Sequence, residues 1–267
     1  MLKHHHLVKN TPSFPLSDAV LSHSISQCSA DNLYDQAVSL AQNGNVEASI
    51  GLYRKLIKMT SARVNVNAFY NLGLLLIQKD GYEEAISMLK VCLERKPEDV
   101  SALNNIAIAH LNIGQFEAAA KCLEKALAIS PEHKNALCNL GLVNQRQNRY
   151  EQAISLFKRC IQHHPSYHLA YRFLGDACLE IGKAQDAAFF YATALNLRPD
   201  DPDIIASLAL ALTRSGRKDD ALVCYQKAIE CQPDDFTLYN KYATVLEKCN
   251  RMYVARLMIQ KSMGLRP

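Results

Sequence analysis

The chain has 267 residues, 49% of them hydrophobic and 21% charged, with a net charge of +4 and no tryptophan. That is ordinary globular composition, with apolar material for one large core or for a long series of small ones. So mild a charge argues against the dense basic surface of a nucleic-acid binder, and no apolar run approaches the length that inserts into a membrane.

In chain order, residues 1–29 read as a mobile N-terminal arm. They are rich in Ser and His and lack the apolar core of a secretory signal. His4, His5 and His6 are too short a run for a dedicated metal site. Beyond them, prolines fall at Pro97, Pro131, Pro165, Pro199, Pro233 and Pro267, each 34 residues after the last. Ser61 stands two places off the same register, after an insertion at Val64–Asn65. The spacing divides the chain into seven repeats, at 30–63, 66–99, 100–133, 134–167, 168–201, 202–235 and 236–267.

Within a repeat the apolar residues recur at helical spacing. Leu103, Ile106, Ala107 and His110 share one face, and Ala119, Leu123 and Ala126 share another. Between them lies a residue that tolerates a left-handed backbone: Gly44, Gly114, Asn148, Gly182, Gly216 and Asn250, with Asp80–Gly81 in the second repeat. Each repeat is therefore predicted to be helix, tight turn, helix, with the phased proline stopping the second helix. Small residues recur mid-way along the first helix (Gly73, Ala107, Gly141, Gly175, Ala209, Ala243) and early in the second (Ala85, Ala119, Ala153, Ala187, Ala221, Ala255). They mark where two helix axes approach closely. Leu89, Leu123, Phe157, Tyr191, Tyr225 and Ile259 fill the gap beside them. The nine cysteines form no CxxC pair. Cys92 and Cys160 stand where Ala126, Ala194 and Ala228 stand elsewhere, so they read as reduced packing residues in a reducing, cytoplasmic setting.

With Leu137, Leu140–Gly141, Tyr150, Ala153, Phe157, Cys160 and Pro165, the fourth repeat resembles the tetratricopeptide repeat family, and the same phase runs from residue 30 to 267. The first repeat departs most, with Gln36, Ser49 and Ser61 at marker positions, as befits a terminal cap. The resemblance implies an all-α fold, an α-solenoid wound as a right-handed superhelix of seven tetratricopeptide helix hairpins. It implies a mode of binding rather than one activity.

In such a stack the first helices line a concave face. Asn71, Asn105 and Asn139 recur there at the 34-residue period, each preceding the Leu or Ile that packs inward. A short amide aimed into a groove offers donors and an acceptor to any peptide backbone. The other reading is a surface residue, or an amide that ties neighbouring repeats together. Superhelical members of the family use an asparagine ladder at this position, which favours recognition. The ladder stops at Phe173, Ser207 and Lys241. Neighbouring concave positions are apolar in the same half (Val38, Leu74, Ile108, Leu142) and become polar or charged from Arg146 onward (Arg172, Asp176, Arg214, Lys241, Thr244, Lys248). A ligand with an apolar stretch at one end and a mixed or acidic stretch at the other would fit. The Lys and Arg pairs with which some members grip a C-terminal carboxylate are missing: their places hold Tyr34 with Val38 or Tyr70 with Leu74, and Ser101 with Asn105.

Cys160, His163, His164 and His168 cluster in sequence, but they flank a helix-ending proline and read as an inter-repeat turn rather than a metal site. No phosphate loop or nucleophile motif occurs, and the repeats leave no room for a catalytic domain. The last helix carries Leu257, Met258 and Met263 with no further helix to cover them, which suggests a docking surface for a second copy, a partner subunit or the N-terminal arm. The sequence thus points to a non-enzymatic adaptor or scaffold, without cofactor or metal, that binds an extended peptide in its concave groove. The alternative is a regulatory subunit or assembly chaperone that works through the C-terminal end.

Overall fold

The phased turns do what their chemistry predicts. In a computed structural model, which describes residues 25–59 and 66–265, Gly44, Asp80, Gly114, Asn148, Gly182, Gly216 and Asn250 all have φ between 58° and 84°. In the second repeat it is Asp80 that turns left-handed, while Gly81 keeps φ −81°. Each of these residues lies between the two helices of one repeat. The first three repeats give α1 (Ile25–Gln42), α2 (Val46–Met59), α3 (Val66–Gln78), α4 (Tyr82–Arg95), α5 (Val100–Asn112) and α6 (Phe116–Ile129). The last four give α7 (Lys134–Arg146), α8 (Tyr150–His163), α9 (His168–Glu180), α10 (Ala184–Leu197), α11 (Pro202–Arg214), α12 (Lys218–Cys231), α13 (Phe236–Lys248) and α14 (Met252–Gly264). No strand occurs among the described residues, and no helix there is long and apolar enough to cross a membrane.

Helix entry is set two residues after the phased proline. Asp99 accepts from the Ala102 amide at 2.9 Å, Asp201 from Ile204 at 3.3 Å and Asp235 from Thr237 at 2.8 Å. These side chains satisfy amides that the first helical turn leaves without a carbonyl. α1 begins at Ile25, inside the stretch read from sequence as an arm. Residues 1–24, the inserted Val64–Asn65 with Ser61, and Arg266–Pro267 lie outside the described residues.

Contacts divide the chain into two compact bodies, one up to Val143 and the other from Asn144. In each, the helices of a hairpin pack on one another, and the second helix packs on the first helix of the next repeat, as in an α-solenoid. The small-to-large pairing read from sequence is the hairpin contact. A Cβ added to Gly73 would lie 2.7 Å from Leu89 Cγ, and one added to Gly175 would lie 2.8 Å from Tyr191 Cε1. Ala85, Ala119, Ala153, Ala187, Ala221 and Ala255 are fully buried. Ser49 replaces that alanine in the first repeat, and its hydroxyl is satisfied by donating to Ala37 O at 2.6 Å. Cys92, Cys138, Cys160 and Cys178 are buried, as packing residues should be. Burial pushes the Cys92 thiol up to about 12, so it stays protonated.

Candidate functional site

The asparagine ladder exists, but it faces inward. Asn71, Asn105 and Asn139 are at most 1% exposed. Asn71 Nδ2 donates to the hydroxyls of Tyr34 and Tyr53, both at 3.1 Å. Asn105 Nδ2 donates to Tyr70 Oη at 3.1 Å, and Asn139 Nδ2 to Asn104 Oδ1 at 2.9 Å. The expectation of amides aimed into an open groove is therefore corrected: each is spent on the preceding repeat. The reason lies in the register. Tyr34, Tyr70 and Asn104 occupy the fifth place of their repeats and the asparagines the sixth place of the next, so every step of the stack sets an amide against an oxygen. That pairing was legible in the sequence, because the fifth place holds a hydrogen-bonding oxygen wherever the following sixth place holds Asn. Cys138 in the fifth place coincides with Phe173 in the sixth, where the ladder ends.

The seam is not fully satisfied. Asn71 Oδ1 and Asn104 Nδ2 are buried without a hydrogen-bond partner among the described residues. Tyr34 and Tyr53 have phenol pKa values raised by burial, an effect that the Asn71 amide partly offsets. Their rings meet edge to face at 5.9 Å. Leu74, Ile108 and Leu142 are buried too. The apolar strip expected to stay open for a ligand in this body belongs to its core instead.

The second body differs. Arg146 ends α7 exposed, and the corresponding faces of α9, α11 and α13 present half-buried Arg172, Asp176, Ser207 and Lys241 with exposed Arg214, Thr244 and Lys248. Asp176 accepts from Tyr191 Oη at 2.6 Å, which holds its carboxylate on this face. Arg214 Nη1 donates to Leu179 O at 3.3 Å, closing the end of the helix one repeat earlier. Arg172 Nε is buried without a hydrogen-bond partner among the described residues, its guanidinium 6.0 Å from the Phe173 ring. Arg146, Arg172, Arg214, Lys241 and Lys248 against Asp176 and Glu180 leave cations in excess on this face.

The last helix leaves some of its apolar side chains exposed. On α14, Leu257 is 42% and Met263 is 63% exposed, while Met258 is half-buried. Tyr253, which the sequence reading passed over, is 76% exposed. His163 closes α8 and His168 opens α9, with Cys160 fully buried away from them. Burial and the neighbouring Arg198 lower the pKa of His168. No group of His, Cys, Asp and Glu among the described residues is placed to hold a metal ion.

Three family models described as tetratricopeptide repeat match the chain, one over residues 98–166, one over 34–100 and 138–203, and one over 179–244. Together they run from residue 34 to 244 without a break. No curated protein matches the sequence. Among solved structures, a tetratricopeptide repeat protein of Parabacteroides merdae superposes with a TM-score of 0.71 at 17% identity, over 90% of this chain and 94% of its own. The pilF protein of Pseudomonas aeruginosa does so at 0.65 and 20% identity, over 75% and 97%. YrrB, described as a repeat protein of this kind with an unusual peptide-binding site, does so at 0.57 and 18% identity, over 67% and 92%. These likenesses speak for the fold.

Proposed function

The chain belongs to the tetratricopeptide repeat family, and from that premise we propose that it is a non-enzymatic adaptor that holds an extended, acidic segment of a partner protein on the first-helix face of its second body. The observation that carries this reading is the row of Arg172, Arg214, Lys241 and Lys248 on α9, α11 and α13, which outnumbers the carboxylates Asp176 and Glu180 on the same face. Peptide binding by YrrB, as its description has it, supports the use of this fold for a peptide. The first body contributes rigidity instead of contacts, because its amides are committed to the seam between repeats.

An electropositive face of this kind attracts carboxylates over roughly the Debye length, about 10 Å at 0.1 M salt. Attraction of that type weakens steeply as salt rises. The test is fluorescence anisotropy with a labelled Glu-rich peptide and its Gln counterpart. The Glu peptide should bind at low salt and lose affinity in Arg214→Gln/Lys241→Gln/Lys248→Gln. Equal binding of both peptides, or no effect of the substitutions, contradicts the proposal. A second reading, docking through α14 as a regulatory or assembly subunit, is favoured by the exposure of Tyr253, Leu257 and Met263. It predicts that Leu257→Glu/Met263→Glu loses the partner while the charge variant keeps it.

A further inference from the structure

The outward faces of α1 and α14 are built differently. Between repeats, a second helix packs on the first helix of the next: α2 on α3, α4 on α5, α8 on α9, α10 on α11 and α12 on α13. Helical spacing puts the third, seventh and tenth places of the first helix on that junction. They hold Ala68, Leu72 and Leu75 in α3, and Ala170, Leu174 and Ala177 in α9, all buried. α1 holds Asn32, Gln36 and Ser39 there instead, all exposed, with Gln36 Nε2 donating to Asn32 Oδ1 at 2.8 Å. That face is a polar cap.

α14 has no such cap. On a second helix, the twenty-fourth and twenty-eighth places meet the helix that follows. Leu93 and Ile229, both at the twenty-eighth place, pack in the apolar clusters that contain Ile106 of α5 and Leu238 of α13. This place is apolar in every repeat and half-buried from Ile57 to Ile229, but Met263 is 63% exposed. The twenty-fourth place is fully buried from Tyr53 to Tyr225 and only half-buried at Ile259. Met252, one turn pair before Ile259, extends the same strip and is 51% exposed. Arg256 and Lys261 flank it, and α14 contains no acidic residue.

We infer that this strip of α14 receives an amphipathic helix of a partner protein, seated as the first helix of a further repeat would be. The inference rests on the reading that the chain docks through α14, and adds the class of partner. Two observations name the occupant. The interior junctions show what covers this register: a helix with apolar residues at i, i+4 and i+7. The cations of α14 call for acids beside that stripe, as Glu47 meets Lys79 at 2.9 Å and Asp219 meets Arg251 at 3.4 Å across interior junctions. A second copy does not fit, because its α1 face is polar and its α14 would set cation against cation.

Fluorescence anisotropy with a labelled peptide of residues 201–214 tests it. That segment is the first helix α11, with Asp201 and Asp203 at its entry and Ile204, Leu208 and Ala211 on its junction face. The peptide should bind the full chain with a Kd below about 1 mM. Ile204→Asn/Leu208→Gln/Ala211→Ser in the peptide, which copies the α1 face, should abolish binding. Met263→Glu in the chain should weaken it at least about tenfold, and the exposed site lets that variant keep its circular dichroism. Arg214→Gln/Lys241→Gln/Lys248→Gln should bind like the native chain. No binding up to about 1 mM overturns the inference, as does equal binding of both peptides or binding that Met263→Glu leaves unchanged. Docking through α14 is judged separately, by partner loss in Leu257→Glu/Met263→Glu, so a silent peptide removes the helical partner and not that reading.

Discussion

Tyr34→Phe/Tyr53→Phe isolates the seam without touching the helices that carry it. In the native chain Asn71 Nδ2 donates both of its hydrogens, to two phenol oxygens at 3.1 Å, in a site where Asn71 is fully buried. Removing one hydroxyl deletes one hydrogen bond, about 1 kcal/mol, and leaves the amide its other acceptor. Removing both deletes two and strands a buried NH2 group beside an Oδ1 that is already without a partner. The stranded donor adds about 1–3 kcal/mol, so the double variant should lose about 3–5 kcal/mol, well beyond the sum of the singles. Adding Asn71→Leu removes the stranded polar group and should recover most of that loss, because an apolar trio of similar shape leaves nothing unsatisfied. Repeat arrays open piecewise, so the assay is native-state amide hydrogen exchange read in α3, with urea unfolding as a check. Additive singles, or no recovery on adding Asn71→Leu, would refute the view that the amides are internal ties.

Other outcomes follow from the same contacts. Gly175→Ala places a Cβ within 3.0 Å of the Tyr191 ring, which the hydrogen bond to Asp176 holds in place. Overpacking of about 1–3 kcal/mol should outweigh the gain of up to about 1 kcal/mol in helix propensity, giving a net loss by urea unfolding that Asp176→Ala, by freeing the ring, reduces. Burial raises the Tyr53, Tyr191 and Tyr225 phenols and the Cys92 thiol, the last two to about 12. The folded state therefore holds these protons more tightly than the unfolded chain, whose values are 9.0 for the thiol and 10.0 for the phenols. Stability should be complete below those values and fall as pH rises through them toward about 12, a decline that thermal melts across the alkaline range will show. Iodoacetamide near about pH 8 should label exposed Cys231 first and spare Cys92, Cys138, Cys160 and Cys178 until the chain unfolds.

The fold was legible because its determinants repeat. A proline, a left-handed turn residue and a small-to-large pair each recur at the 34-residue period, and each corresponds to one local physical requirement. The start of α1 escaped because Ile25–Ser29 is polar and lacks the small-residue markers, so nothing in its pattern separates it from the arm. The site was harder to read. Helical spacing places Asn71 beside the packing stripe, but it does not say whether the space beyond belongs to a ligand or to the preceding repeat. That depended on the residue in the fifth place one repeat earlier, a comparison between repeats and not within one.

Partner recognition is proposed for the first-helix face of the second body. Hydrogen–deuterium exchange with and without the Glu-rich peptide tests it most directly, because it reports where the backbone becomes protected. Protection should gather on α9, α11 and α13, around Arg172, Ser207, Arg214, Lys241 and Lys248, with α3 and α5 unchanged. Protection centred on α3 and α5, around Asn71 and Asn105, would contradict it and return recognition to the amide ladder.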